Sequence, residues 1–127
     1  MPSYTVKNLM EIDPVGDESS VELRFSRKFI DSEQLGVTLE RIAPNFSATD
    51  GHKHEVQEEA YVVIEGSGTI KLDDERIEID KWDVVRVAPE VTRGFEAGPD
   101  GLTLIAVGGS KPEGGDGVIE KGRWSLE

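Results

Sequence analysis

Short runs in which apolar and polar residues alternate make up most of this chain and limit the folds it can adopt. Val21–Phe25 alternates in this way, as does the stretch 35–42, which places Leu35, Val37 and Leu39 on one face. Further runs of the same kind occupy residues 60–65, 69–72, 76–79, 83–88 and 102–107. Strands of this length and spacing predict an all-β sandwich or barrel.

Three segments between these runs have the composition of turns. Residues 73–75 separate two strands and predict a hairpin loop. Residues 98–101, with the sequence Gly-Pro-Asp-Gly, predict a turn because Gly and Pro supply the special backbone angles. Residues 31–34 are suited to a single helical turn, and no longer stretch of the sequence has helical periodicity.

The two histidines of the chain, His52 and His54, lie two positions apart. If this segment is a strand, both side chains point to the same face, because side chains alternate with period 2. Glu59, five residues later, can complete a set of two imidazoles and one carboxylate. Such a set with open positions is typical of non-haem iron and also suits Mn, Ni, Zn or Cu. The alternative is a solvated polar loop, since acidic and glycine residues flank the pair.

The residues after the histidines extend this pattern into a longer motif. His52-x-His54, four residues, Glu59, six residues and then Gly66 keep the separations of the first sequence motif of the cupins. The text of residues 58–68 is also similar to the usual wording of that motif. The chain therefore resembles the small, single-domain members of the cupin superfamily.

A second cupin motif begins with Gly-Asp, contains a proline turn with a glycine, and ends with a histidine. Residues 82–95 resemble it, with three departures. Trp82 stands in place of the first Gly, Glu90 replaces the turn Gly, and Arg93 stands where the family has its fourth metal ligand, a His. The resemblance covers residues from about 35 to 108 and implies a cupin-type double-stranded β-helix, a jelly-roll barrel.

The resemblance implies a divalent metal ion held by His52, His54 and Glu59, and the sequence does not distinguish Fe, Mn, Ni and Zn. Glu59 rather than Glu58 takes the carboxylate role, because only Glu59 keeps the motif spacing. Tyr61 shares a strand face with Glu59, so we expect it to line the cavity beside the metal. A buried carboxylate is costly without a cation, and a bound divalent ion removes that penalty.

Arg93 is not expected to ligate the metal, since a guanidinium stays protonated and offers only donors. Three arrangements remain open. Arg93 can turn inward and bind an anionic ligand, can pair with Glu59 or Glu90 in a metal-free site, or can point into solvent. Arg93, Tyr61 and Glu90 are therefore the candidate ligand-binding residues. No catalytic acid or base is assigned, and proton transfer would fall to Glu90, Tyr61 or bound water.

The charge balance limits the classes of partner that the chain is expected to bind. The chain has 14 basic and 26 acidic residues, a formal net charge of −12, which disfavours binding to nucleic acid and to anionic membranes. No stretch approaches the roughly 20 apolar residues that span a bilayer. The absence of cysteine and of a signal-peptide pattern at the N-terminus is compatible with a cytoplasmic location, which we expect.

The length of 127 residues predicts one domain, with the barrel core at about 20–108. An N-terminal arm covers residues 1–19, and a tail over 109–127 is expected to be flexible because residues 108–117 contain five Gly and one Pro. The apolar cluster that ends at Trp124 can dock on the domain or on a partner subunit, or Trp124 alone makes contact. The family resemblance implies a homodimer.

Two functions from different classes fit these residues. A metal-dependent enzyme of the oxygenase or isomerase type would use the open coordination positions to act on a small molecule, for which an anion is one candidate. A non-catalytic module that binds or senses a small molecule would need no metal and fits a degenerate site. Metal occupancy discriminates between the two.

Overall fold

The protein was analysed as a computed structural model that describes residues 3–16 and 20–125. Its eight strands are β1 (Val21–Phe25), β2 (Gly36–Ile42), β3 (Gly51–His54), β4 (Glu59–Leu72), β5 (Glu75–Asp80), β6 (Val84–Val87), β7 (Arg93–Gly108) and β8 (Gly117–Glu120). Two single 3₁₀ turns lie at Leu9–Glu11 and Arg27–Phe29. The second of these precedes the segment 31–34, which was expected to make the helical turn. The predicted arm 1–19 lies in part, at residues 1–2 and 17–19, outside the described residues.

The two longest strands, β4 and β7, pair with each other along most of their length and carry the rest of the sheet. β7 also pairs with β2 and β3, and β4 also pairs with β5 and β6. β1 extends the sheet beyond β2, and β8 extends it beyond β3. All of these pairs are antiparallel, and the curled sheet confirms the predicted all-β jelly-roll barrel.

The pairing of β4 with β7 is interrupted at two points, between Val63 and Glu65 and between Gly66 and Gly68, and the second interruption is the larger. Gly66 pairs with Leu102 and Gly68 with Ala97, so residues 98–101 of β7 bulge out opposite a single residue of β4. The turn predicted for 98–101 is therefore corrected: the strand continues past these residues instead of reversing. The runs 60–65 and 69–72, predicted as two strands, are likewise one bent strand. A bulge of this kind increases the local twist and lets one strand serve both sides of a barrel.

Gly66, the last residue of the first cupin motif, is required at this bend. Its φ of 76° lies in the left-handed region, and a Cβ at this position would stand 2.0 Å from the carbonyl oxygen of Gly101. Only glycine accepts both the backbone angle and the close approach. The hairpin between β4 and β5 is also as predicted, since Leu72 pairs with Glu75 across a two-residue loop.

The interior of the barrel follows rows of directly paired residues. On β4 and β7, Tyr61 pairs with Ala106 and Val63 with Leu104, and all four side chains are buried. β2 continues the second of these rows, because its Glu40 pairs with the same Leu104. Directly paired residues in an antiparallel ladder project from the same face. A carboxyl group on β2 therefore points into an apolar interior.

The outer face of β2 carries the residues that were expected to share one side. Val37 and Leu39 alternate with Glu40 and so lie on the face away from the barrel interior, where Leu39 is nonetheless buried. Leu35 departs from the prediction, since it precedes β2 and is exposed. Burial on both faces of β2 explains why alternation alone does not reveal which face is the core.

The C-terminal tail carries an eighth strand that the sequence did not predict. β8 pairs with β3 from Gly51 opposite Glu120 to His54 opposite Gly117. Beyond it, Trp124 donates from its backbone N to Thr49 O at 2.9 Å and from Nε1 to Asp73 O at 3.1 Å. Residues 117–125 of the tail that was expected to be flexible thus have backbone partners, because β8 pairs with the open edge of β3.

Candidate metal centre

Strand β3 places both histidines on one side of the barrel wall, as the i, i+2 spacing predicts. His52 pairs with Arg93 of β7, and His54 lies two residues further along the strand. The backbone N–H of His54 donates to Pro89 O at 2.8 Å, which fixes the strand against the turn before β7. Glu59 is the first residue of β4 and shares a face with Tyr61 and Val63.

The predicted ligand atoms meet at one end of the barrel. One donor atom each from His52, His54 and Glu59 lies within 4.8 Å of the others. Nε2 of His54 is 3.2 Å and Nε2 of His52 is 3.8 Å from Oε1 of Glu59. The two imidazole rings stand nearly perpendicular, with an interplanar angle of 87°. Two nitrogens and one carboxylate oxygen at this separation have the chemistry of a divalent-metal site.

An unpartnered nitrogen shows that these residues fit a metal ion. Nε2 of His54 is buried and has no hydrogen-bond partner, although Glu59 lies nearby. The other ring nitrogen, Nδ1, is 2.9 Å from Oδ1 of Asp116. Since a carboxylate only accepts, Nδ1 carries the proton, and the lone pair of Nε2 is directed at the cluster. This is the tautomer that a metal-binding histidine needs.

Asp116 orients His54 and was not found by sequence reasoning. Its second oxygen, Oδ2, accepts the backbone N–H groups of Val56 at 2.7 Å and Gln57 at 2.8 Å. Burial would raise the pKa of Asp116, but these two N–H groups and His54 together lower it to about 2. The carboxylate is therefore ionised at neutral pH. It lies in the glycine-rich stretch before β8, where no motif singles it out.

Glu59 is held as a carboxylate. Burial acts to raise its pKa, yet the interactions with His52, the Tyr61 hydroxyl and His54 together lower the pKa to about 2. Tyr61 donates its O–H to Oε1 of Glu59 at 2.6 Å. The structure thus brings Tyr61 against the candidate metal ligand, as its shared strand face predicts. An ionised carboxylate in this position is ready to coordinate a cation.

Arg93 points into the barrel and not into solvent. Its exposed fraction is 0 %, and its Nη2 donates to Ala88 O at 3.0 Å. Nε and Nη1 have no hydrogen-bond partner. In the part of the chain that the structure describes, no ion pair joins Arg93 to Glu59 or Glu90. Of the three arrangements open to the sequence, the geometry matches the inward-facing guanidinium with donors free for a ligand.

A second buried carboxyl, Glu40, faces the same interior and was missed at the sequence level. Its Oε2 is buried and has no hydrogen-bond partner. Burial raises the pKa of Glu40, and the negative charge of Glu59 raises it further, whereas Arg93 lowers it. Together they bring this pKa to about 7. A pattern of alternation could have pointed to Glu40 only if the inner face of β2 had been known.

Glu90 lies in the turn before β7, and the structure does not bring it into the cluster. Its side chain is exposed, unlike those of Tyr61 and Arg93. Its assignment as a ligand-binding residue rests only on its place in the second motif. Glu58, which precedes Glu59 in the chain, also lies outside the site. Its carboxylate forms an ion pair with Arg86 at 3.0 Å on the surface.

Comparison with known proteins adds the following matches. The family model described as a cupin domain (Cupin_2) matches residues 38–108. An uncharacterized protein of Methanocaldococcus jannaschii is 39 % identical over 57 residues, which cover 45 % of this chain and 46 % of that protein. The chain thus matches less than half the length of this curated relative.

Solved structures share the fold at low sequence identity. A cupin protein from Bacteroides fragilis has a TM-score of 0.72 at 21 % identity, with 87 % of this chain and 86 % of that one covered. KdgF from Halomonas sp. has a TM-score of 0.68 at 15 % identity, covering 83 % and 94 %. A variant of Streptomyces PAC13, solved with uridine, has a TM-score of 0.73 at 12 % identity, covering 95 % and 91 %.

The described residues contain no helix long and apolar enough to cross a membrane.

Proposed function

We propose that this chain, which belongs to the cupin family, holds a divalent metal ion on His52, His54 and Glu59 and binds a small anionic molecule beside it. The observation that carries the proposal is the combination of a metal-type donor cluster with a buried guanidinium whose Nε and Nη1 have no partner. The cluster supplies the metal site, and Arg93 supplies the site for an anion.

Three protein ligands support chemistry as well as binding. A divalent ion with three protein donors keeps open positions and acts as a Lewis acid on an oxygen of the substrate. Iron in this site would favour oxygenation, and zinc or manganese would favour isomerisation or hydrolysis. The chain's own contribution is to fix His54 through Asp116 and to keep Glu59 ionised. Tyr61, hydrogen-bonded to Glu59, is placed to contact a molecule bound at the metal.

The charges of the interior favour an anionic ligand once a divalent ion is bound. Glu59 contributes one negative charge, Arg93 one positive charge and the metal two positive charges. Even with Glu40 ionised, these charges sum to a positive value. The carboxylate of Asp116 contacts Nδ1 of His54, the ring nitrogen that faces away from Glu59, and is not counted among them. A buried positive charge without a counter-ion is costly, and a small carboxylate would remove this cost by binding to the free donors of Arg93.

One structural neighbour supports a small-molecule ligand, because the Streptomyces PAC13 variant was solved with uridine. The alternative of a metal-free site, in which Arg93 replaces the metal by an ion pair, has no support in the geometry of Arg93 within the described residues. The remaining expectations of one domain, a homodimer, a cytoplasmic location and no nucleic-acid partner stay predictions.

The proposal is tested by anion binding to the metal-loaded protein. Protein loaded with Co²⁺ is titrated with acetate and with acetamide, its neutral counterpart, and the visible absorption of the cobalt is followed. We expect acetate to change the spectrum of the wild type, acetamide to have no effect, and Arg93→Met to weaken acetate binding at least about tenfold, as the loss of a charge-assisted hydrogen bond would. Equal responses to acetate and acetamide would refute the anion site.

A further inference from the structure

Two side chains of opposite charge, a buried arginine and a half-buried glutamate, have buried polar atoms without a hydrogen-bond partner. They are Arg93, through Nε and Nη1, and Glu40, through Oε2. Neither belongs to the group of metal-type donors. Buried polar groups are almost always hydrogen-bonded, and leaving one unpaired costs about 1–3 kcal/mol. Two such groups in one interior indicate a molecule that supplies the missing partners.

These two side chains do not satisfy each other. Arg93 donates only to the backbone of Ala88, and in residues 3–16 and 20–125 no ion pair connects Arg93 with Glu40. Both are nevertheless near the metal cluster. The strand pairing puts Arg93 opposite His52, and it puts Glu40 in the row of Val63, two residues along β4 from Tyr61.

The strands place the two groups on different sides of this volume. Glu40 stands on β2 in the row of Leu104 and Val63, next to the row of Tyr61. Arg93 stands at the beginning of β7, opposite His52. Tyr61 and Phe95, which is the next inward residue of β7 after Arg93, contact each other with ring centroids 5.0 Å apart. A ligand in this space therefore meets a cationic group on one side and a carboxyl on the other.

We propose that Glu40 and Arg93 together select a small hydroxy acid, Arg93 binding its carboxylate and Glu40 a hydroxyl group. This inference rests on the proposed function, because it names the class of the anion bound beside the metal. The two interactions match the two unpartnered groups: a guanidinium offers donors to a carboxylate, and a carboxyl oxygen accepts from a hydroxyl.

The charge of the interior favours a hydroxyl over an ammonium group at the Glu40 side. An amino acid would add a positive charge to a volume that already holds Arg93 and the metal ion. A carboxyl oxygen of Glu40 accepts a hydrogen bond from a hydroxyl group, and a hydroxyl brings no further positive charge into this volume.

The test compares three acids that differ in one group. L-Lactate, propionate and L-alanine are titrated calorimetrically into zinc-loaded wild-type protein and into the Glu40→Leu, Glu40→Gln and Arg93→Met variants. We expect the wild type to bind L-lactate at least about fivefold more tightly than propionate, and L-alanine no better than propionate, as one additional buried hydrogen bond would give. Glu40→Leu should abolish the preference for L-lactate over propionate.

The variants separate this inference from its alternatives. Glu40→Gln keeps an acceptor and a similar shape, so it should retain part of the preference for L-lactate and reports on any folding defect of Glu40→Leu. Arg93→Met should weaken both acids. A preference for L-lactate that persists in Glu40→Leu would mean that the hydroxyl binds the metal alone, and a preference for L-alanine would assign an amino acid; both would overturn the inference.

Failure of the underlying proposal gives a different result. If metal binds and propionate binds through Arg93, but Glu40 has no influence on any of the three acids, only the assignment of a hydroxy acid falls. If none of the acids binds to the zinc-loaded wild type, both the hydroxy-acid inference and the anion site fall. The zinc content of each variant, measured on the same samples, identifies which case applies.

Discussion

At the scale of single residues, Glu40 is the clearest case of an ionisable group whose burial disfavours its charged form. Its carboxyl faces Leu104 and Val63, and its pKa is raised to about 7 mainly because burial disfavours the charged form. A carboxyl group with a raised pKa binds more protons in the folded state than in the unfolded state. It therefore stabilises the fold least when it is ionised, at high pH.

We predict a pH dependence of stability that Glu40 causes in the metal-free protein. Its contribution is fully present below the unfolded pKa of about 4.5 and is lost as the pH rises through the folded value of about 7. Glu40→Gln should remove this loss and be more stable than the wild type at pH 8 by up to about 3 kcal/mol, at about 1.4 kcal/mol per pKa unit.

Urea unfolding of the metal-free wild type and of Glu40→Gln between pH 5 and pH 8 measures this difference. The two proteins share every other titratable group, so only the difference between the two curves reports on Glu40. Parallel curves would contradict the assignment of Glu40 to the buried interior.

Single residues also mark the limit of sequence reasoning. The histidine pair, Glu59 and Tyr61 were predictable because strand alternation and motif spacing fix their relative positions. The orientation of Arg93 was not, since an arginine on a strand can face either side. Asp116 lies 62 positions from His54 in the chain, and nothing local links the two.

At the scale of structural elements, β8 connects the C-terminal tail to the candidate metal ligands His52, His54 and Glu59. It pairs with β3 along all four residues of β3, and Asp116 directly precedes it. Most strands were predictable from alternation, and β1 has the predicted bounds. β8 was not, because four residues after a glycine-rich stretch carry too little pattern and their strand geometry depends on the edge of β3.

The link between β8 and the cluster predicts a loss of metal affinity in Asp116→Asn. An amide has one accepting oxygen where the carboxylate has two. It therefore cannot accept from His54 and from the N–H groups of Val56 and Gln57 at the same time, and His54 loses its fixed orientation. We expect the affinity for Zn²⁺ to fall about 10- to 100-fold, as for other partners of metal-bound histidines.

A competition assay with a chromophoric chelator measures this affinity. Glu113→Gln, an exposed change in the same tail, is the matched control and should bind Zn²⁺ like the wild type. An unchanged affinity in Asp116→Asn would show that Asp116 only anchors the tail.

The bend shared by β4 and β7 is the second structural feature that gives a prediction at this scale. It depends on Gly66, where a Cβ would collide with the backbone of Gly101. We predict that Gly66→Ala lowers the free energy of unfolding by at least about 3 kcal/mol. The left-handed backbone angle strains alanine by about 1–2 kcal/mol, and the backbone of β7 must also move to relieve the clash with Gly101.

Gly114→Ala separates strain from the clash. Gly114 has a similar φ of 83°, but a Cβ there would meet nothing within 4 Å. Its cost in urea unfolding should stay at about 1 kcal/mol, the strain contribution alone. Equal costs for the two variants would contradict the close approach of β4 and β7.

At the scale of the whole molecule, the barrel carries a formal net charge of −12 but encloses an interior that a divalent ion makes positive. The fold class followed from strand alternation and the two motifs, because both act over the whole chain. The number of strand partners of β4 and β7 did not, since it depends on the bulge at 98–101. The contact of Asp116 with His54 joins the two parts of the molecule that the sequence treats separately, the tail and the barrel.

The central claim is that His52, His54 and Glu59 hold a divalent ion. Elemental analysis of untagged protein, equilibrated with Fe, Mn, Ni and Zn ions and then dialysed, measures the metal content per chain. We predict about one ion per chain in the wild type and in Glu58→Gln, whose carboxylate lies outside the site, and almost none in His52→Ala/His54→Ala. Substoichiometric metal in the wild type, or equal metal in the double variant, would contradict the account.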